Sequence, residues 1–193
     1  MTAKDILSTL ETASRLKTTM RHCYTAPGRT ESVADHSWRV ALMAMLLREE
    51  KAFDGIDMDR VIRMALIHDL GEIFTGDIPT FQKTESDAAA EDRLYLDWVQ
   101  SFPEPQRSEW TVLLQEMLEL KSPEAKVYKA LDKMEALISH NESELSTWLP
   151  LEYDLQYSYG QREAECNGML REIRSRIDEW TTAKIREGER NPK

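Results

Sequence analysis

Arg63-Met-Ala-Leu-Ile-His68-Asp69-Leu-Gly-Glu72-Ile-Phe-Thr-Gly-Asp77-Ile-Pro-Thr80 carries an apolar helical pattern into a polar corner. A histidine and an aspartate stand side by side where the pattern runs out, and two more carboxylates follow. Aspartate suits the end of a helix poorly, because the negative end of the dipole repels it. A cation removes that conflict. Polar chemistry gathered at a buried helix end has a local cost, and function is the usual reason for tolerating it. His68 and Asp69 are therefore read as two ligands of a metal ion.

The surrounding chain has 193 residues, 41 % of them apolar and 31 % charged, which is ordinary globular chemistry. That length favours one domain, 1–193, with a core over about 15–142 and a helical extension over about 145–188. A net charge of -10 argues against non-specific binding to nucleic acid or an anionic membrane. It does not exclude a small phosphate ligand, since a bound cation and a few basic groups reverse the field locally. Cys23 and Cys166 lack a CxxC spacing and read as reduced thiols of a cytoplasmic protein. The first residues hold no long apolar run, so no signal peptide is expected. No stretch approaches the ~20 apolar residues of a membrane span.

Apolar residues recur at helical spacing almost throughout, so the fold class is all-α. A first helix is predicted from Thr2 to about Lys17, with Ile6, Leu7, Leu10 and Ala13 on its apolar face. Thr18 to Thr30 reads as irregular, with Ala26-Pro27-Gly28 as a turn. Ser32-Val-Ala-Asp35 forms a capping box for a helix to about Glu50, whose apolar run from Val40 to Leu47 predicts a central buried element. His36 lies in its first turn. Asp57 caps the helix that ends near Gly71, and Thr75 to Pro79 is a loop. Acidic helices are predicted over about Ser86–Gln100 and Gln106–Leu120, and Ser122-Pro-Glu124 starts another that passes residue 140. A long last helix runs from about Gln161 to Arg186, with frayed residues beyond Gly188.

His36 and Asp132 complete the candidate metal set. Asp132 flanks the stripe Val127, Ala130, Leu131, Met134, while Lys126, Lys129 and Lys133 are read as the solvent face. Two imidazoles and two carboxylates suit one divalent transition metal, Mn, Co, Fe or Zn, better than Mg. Glu72 sits three residues past Asp69 and is positioned to guide or deprotonate a water. Arg21 and Arg29 are candidate phosphate clamps, and Lys83 is a weaker one. Asp77 has turn chemistry as its bland alternative, His22 is a pocket candidate, and His140 is read as structural. With so few histidines, a second metal site is not expected.

The ordered set resembles the H…HD…D signature of the HD-domain metal-dependent phosphohydrolases. Glu31-Ser-Val-Ala-Asp-His36-Ser, His68-Asp-Leu-Gly-Glu72, Thr75-Gly-Asp77-Ile-Pro-Thr80 and Ala130-Leu-Asp132-Lys are similar to the bacterial 5′-deoxynucleotidase branch, over roughly residues 15 to 142. The resemblance implies an all-helical bundle, one divalent metal, hydrolysis of nucleoside 5′-monophosphates and a homodimer. It implies His36, His68, Asp69 and Asp132 as ligands, Glu72 as the catalytic glutamate and Arg21 as the phosphate-orienting arginine. Asp77, Ile78, Pro79 and Thr80 match the substrate loop. His22 stands where the deoxynucleotidases carry a sugar-pocket tryptophan, and the segment from Leu145 onward departs from them. Two other readings compete: a nucleotide- or metal-binding module without turnover, and a hydrolase of a phosphodiester or polyphosphate nucleotide.

Overall fold

The computed structural model describes residues 1–25 and 28–190; the turn expected at Ala26-Pro27 and the end beyond Arg190 lie outside the described residues. Ten α-helices, three short 3₁₀ turns and one small hairpin make up the regular structure of the described residues. The helical pattern of the sequence is met in all-α form, with a C-terminal helix of 23 residues.

The centre is built by three helices: α2 (Val33–Leu47), α3 (Met58–Ile67) and α7 (Pro123–Glu142). Each begins as its cap residue dictates. Ser32 and Asp35 satisfy each other's backbone N–H groups, Asp57 accepts from the Arg60 N–H, and Ser122 accepts from that of Ala125. Val40, Ala44, Val61, Met64, Ala130, Leu131 and Met134 are fully buried among them. At roughly 1.5–3 kcal/mol for each large apolar side chain, this contact is the main source of stability.

Helix α2 is not buried all round, as its composition predicts. Trp38, Met45 and Leu46 stand 61 %, 60 % and 71 % exposed on its outer face. Nor does the apolar stripe of α1 (Ala3–Ala13) find cover: Ile6, Leu7 and Leu10 are exposed, and a short 3₁₀ turn at Ser14–Lys17 inserts Leu16 instead. Periodicity reports which residues share a face, and says nothing of what lies opposite.

Thr18 to Thr30 is ordered where irregular chain was expected. β1 (Met20–Thr25) pairs antiparallel with β2 (Arg29–Ser32). Met20 pairs with Ser32 and Tyr24 with Thr30, so Arg21, His22 and Cys23 all stand opposite Glu31. That wide bulge breaks the alternation by which a strand is recognised.

α4 (Glu72–Thr75) turns the chain out of the corner after α3. α5 (Glu85–Gln100) and α6 (Gln106–Glu119) then pack as a pair, near their expected bounds. Gly71 lets α5 approach, since a Cβ there would stand 2.9 Å from Cγ of Glu91.

Beyond α7 the long last helix is interrupted. α9 (Gln161–Ala164) and α10 (Gly168–Arg190) replace it, and α8 (Glu152–Ser158) precedes them where no separate helix was expected. Gly160 takes φ 75°, and Asn167 caps the restart by accepting from the Met169 N–H at 2.9 Å. α10 returns along α7, where Asn141 and Thr181 exchange buried hydrogen bonds of 2.9 and 3.1 Å. Among the described residues no helix is long and apolar enough to cross a membrane.

Leu170 is fully buried where α10 docks. Leu170→Ala is expected to cost about 2–5 kcal/mol, read as a lower urea midpoint at unchanged slope.

Candidate metal centre and its cavity

Four donor atoms converge where α2, α3 and α7 meet. His36 Nε2 lies 3.1 Å from Asp132 Oδ1, 3.3 Å from His68 Nε2 and 3.7 Å from Asp69 Oδ2. His68 Nε2 lies 2.9 Å from Asp69 Oδ2 and 3.6 Å from Asp132 Oδ1. Two atoms that each bind one ion at about 2.1 Å stand about 3.0–3.4 Å apart at the angles of octahedral and tetrahedral sites. The spacings among His36, His68 and Asp69 fit a single cation, and Asp132 Oδ1 stands within 3.6 Å of both imidazoles.

The far side of each imidazole supports the same reading. His36 Nδ1 contacts the fully buried carboxylate of Glu135. His68 Nδ1 faces the carbonyl of Ala65 at 2.9 Å. An imidazole that donates through Nδ1 presents a lone pair at Nε2. Two such lone pairs facing each other at 3.3 Å call for a positive charge between them. Glu135 is itself held by Arg39 Nε at 2.6 Å and Ser139 Oγ at 3.0 Å. Acceptors of this kind fix the ring and raise its basicity toward a metal.

Without a cation, protons take its place. Burial and Arg21 press the His36 pKa down, but hydrogen bonds to Asp132 and Glu135 carry it above its ordinary value. Burial likewise opposes the charge on His68, and the Asp69 carboxylate overrides it, so that His68 rises well above. Asp69 and Asp132 are held below the usual carboxylate range despite burial, Asp69 by His68 and Asp132 first by Lys129.

A cavity of about 370 Å³ opens from this cluster. Asp69 and Asp132 lie at its wall together with Arg21, Glu72, Asp77, and Ile78 to Thr80. The hairpin bulge delivers Arg21, whose Nε is 3.0 Å from Glu31 and whose Nη1 is 3.8 Å from Asp69. Glu72 is 5 % exposed, and its Oε2 has no hydrogen-bond partner. Burial, followed by the charges of Asp69 and Asp77, pushes Glu72 up to about 10. Burial also raises Asp77, against the pull of Arg21.

Other candidates fare differently. Arg29 is exposed and pairs with Asp35 at 2.9 Å, away from the cavity lining. Lys83 reaches the wall but is held by Glu91 at 2.8 Å. Of the lysines read as a solvent face, only Lys126 is exposed. Lys129 donates to Asp132 Oδ2 at 2.7 Å, and Lys133 pairs with Glu163. Both line the cavity, because α8 and α9 cover that side of α7.

His140, read as structural from sequence, lies beside His22 with ring centroids 5.2 Å apart, and its Nε2 is 3.6 Å from Glu152. His22 lines the cavity and contacts Glu152 directly. Glu135, Lys129 and Glu152 carry no sequence signal of their own, although Glu135 lies three residues from Asp132 on one helical face, where a search for a supporting carboxylate would find it.

The sequence matches the family profile described as HD domain over residues 13–174. It is 34% identical to the 5′-deoxynucleotidase HDDC2 of Homo sapiens over 146 residues, which cover 74% of this chain and 70% of that protein. The crystal structure of a predicted metal-dependent phosphohydrolase from Magnetospirillum magnetotacticum superposes with a TM-score of 0.81 and 27% identity, covering 96% of this chain and 93% of that one. A conserved hypothetical protein from Pyrococcus furiosus follows at TM-score 0.67 and 30% identity, over 90% and 99% of the two chains.

Two outcomes are expected. Glu135→Gln weakens divalent-metal affinity about 10–100-fold, measured by competition with a chromogenic chelator. The second concerns pH. The raised histidines stabilise the metal-free protein below their unfolded value of about 6.5, and that contribution is lost as pH climbs through the folded values. The lowered Asp69 and Asp132 act oppositely, stabilising above about 3.9 and failing as pH falls. A metal replaces the histidine protons. The rise in Tm on adding Mn²⁺ to chelator-treated protein is therefore larger at pH 8 than at pH 6, and an equal rise would separate the histidines from the metal.

Proposed function

This chain belongs to the HD-domain family and is a metal-dependent phosphohydrolase; on that premise we propose that it removes the 5′-phosphate of nucleoside monophosphates. His36, His68, Asp69 and Asp132 would hold one divalent transition ion, which would supply Lewis-acid polarisation of the phosphoryl group and a lowered pKa for a bound water.

Each step left to the protein has a side chain with the right chemistry. Arg21, ion-paired with Glu31 at 3.0 Å, offers its guanidinium fork to the phosphate oxygens. Glu72 takes the proton of the attacking water. The observation that carries this reading is its buried Oε2, which has no partner and lies at the cavity wall. A buried acceptor left unpaired costs about 1–3 kcal/mol, and here a water or substrate proton would satisfy it. Its raised pKa belongs to a site in which Asp69 is uncompensated; a cation on Asp69 lowers it and frees the carboxylate to act as a base. Asp77, which burial inclines toward its protonated form, hands a proton to the departing 5′-oxygen. Gly76, at φ 79°, sets the turn that presents Asp77, and Ile78, Pro79 and Thr80 shape the wall against the nucleoside.

The resemblance to the human 5′-deoxynucleotidase, together with a cavity sized for a mononucleotide, supports a phosphomonoester over a larger substrate. A homodimer belongs to the same proposal. Trp38, Met45 and Leu46 form an exposed apolar stripe on α2 that a second copy would cover.

The test is phosphate release by Mn²⁺- or Co²⁺-loaded protein over a panel of ribo- and deoxyribonucleoside 5′-monophosphates. Turnover is expected, and Glu72→Gln lowers kcat by about 10²–10⁴ with metal content unchanged. Release from no monophosphate in the panel would overturn the proposal.

A further inference from the structure

The cavity has a second polar end, remote in sequence from the metal-binding motif and not used by the chemistry above. α8 builds it. Glu152 and Gln156 are four residues apart and share one face of that helix, and both line the cavity. Glu152 is 3 % exposed and Gln156 1 %.

The Glu152 carboxylate is held in place. Its Oε2 accepts the Leu149 N–H at 2.7 Å, and its Oε1 contacts His22 Nε2 and stands 3.6 Å from His140 Nε2. Gln156 is half satisfied. Its amide nitrogen reaches the Leu137 carbonyl at only 3.5 Å, and its Oε1 is buried without a partner. Such an orphaned acceptor is rare, and on a cavity wall it points to a ligand that donates a hydrogen bond.

His22, His140 and Glu152 also bring their donor atoms close enough for a metal ion. The support around them differs from that of the first cluster. There, buried Glu135 and the Ala65 carbonyl take the outer nitrogen of each ring. Among the described residues, no acceptor holds the Nδ1 of His22 or of His140. An unanchored imidazole pair with a carboxylate pinned to the backbone is better arranged for hydrogen-bonding an organic ligand than for a fixed coordination sphere.

The wanted ligand therefore offers adjacent O–H donors to two neighbouring acceptors and takes donation back from imidazole. A vicinal diol does both. A base edge meets the same groups only where an exocyclic amine stands beside a ring acceptor, and the matched pairs below distinguish that occupant from the diol. Resting on the nucleotidase reading, we infer that Glu152 and Gln156, with His22 and His140, bind the 2′- and 3′-hydroxyls of ribose, so that ribonucleotides are preferred over deoxyribonucleotides. A site built to hydrogen-bond a hydroxyl discriminates strongly against the analogue that lacks it.

The experiment compares kcat/KM of the metal-loaded enzyme for matched pairs, AMP with dAMP and UMP with dUMP. At least tenfold preference for the ribo member is expected in each. Glu152→Gln keeps the side-chain size and should cut the ribo value at least tenfold and by clearly more than the deoxy value, which retains the 3′-hydroxyl; Gln156→Met should do the same. A merely structural loss would lower both sugars alike, and that result overturns the inference, as does a wild type that favours deoxyribose. A preference that follows the base and ignores the sugar overturns it too, and assigns the subsite to the base. Calorimetric binding of adenosine against 2′-deoxyadenosine separates this inference from the reading it rests on. Tighter adenosine binding that is lost in Glu152→Gln supports the subsite even if no monophosphate is hydrolysed. Equal binding by an enzyme that does hydrolyse them refutes the subsite alone.

Discussion

The imidazoles of His36 and His68 each lie within 4 Å of the Asp69 and Asp132 carboxylates in the interior, and the surrounding helices keep them there. Desolvating that many ionisable groups is costly unless each has a partner. The chain supplies partners from every side: Glu135 behind His36, the Ala65 carbonyl behind His68, Lys129 on the outer oxygen of Asp132, and Arg21 near Asp69. Each neutralises or orients one group without filling the space between them. That space is left for a divalent ion.

The support is itself layered. Glu135 accepts from Arg39, and the single O–H of Ser139 stands between two carboxylates, 2.7 Å from Glu31 and 3.0 Å from Glu135. Glu31 in turn receives Arg21 and the Cys23 thiol across the hairpin. A single run of buried carboxylates thus connects α7, the first turn of α2 and the bulge that carries Arg21. The thiol is consumed as a donor in that run, and burial raises its pKa, so it is unsuited to nucleophilic chemistry.

The part of the chain after α7 gives the cavity its other wall. Without α8, Glu152, Leu155 and Gln156 would be missing, and the metal cluster would face a shallower groove. α10 fixes that wall through Arg174, whose guanidinium donates to the Gln156 carbonyl at 2.7 Å, and through the Asn141–Thr181 pair. Packing far from the cluster therefore shapes the cavity beside the metal-site candidates, all of which precede Lys133.

The sequence by itself determined the helices, because caps and 3.6-residue periodicity are local: Ser32, Asp57 and Ser122 start their helices as read. It also determined the four metal-site candidates, since His36, His68, Asp69 and Asp132 stood at polar ends or flanks of apolar stripes. Only the tertiary structure decided the rest. The bulged hairpin hid its strand pattern by placing three residues opposite Glu31. The exposed faces of α1 and α2, and the covered Lys129 and Lys133, depended on what lies opposite a helix, which periodicity does not encode. The roles of His140, Glu152 and Gln156 became legible only when segments up to 130 residues apart were brought into contact, as His22 and Glu152 are. Hydrogen bonds between side chains act over about 3 Å of space whatever the separation along the chain, so no local pattern announces them.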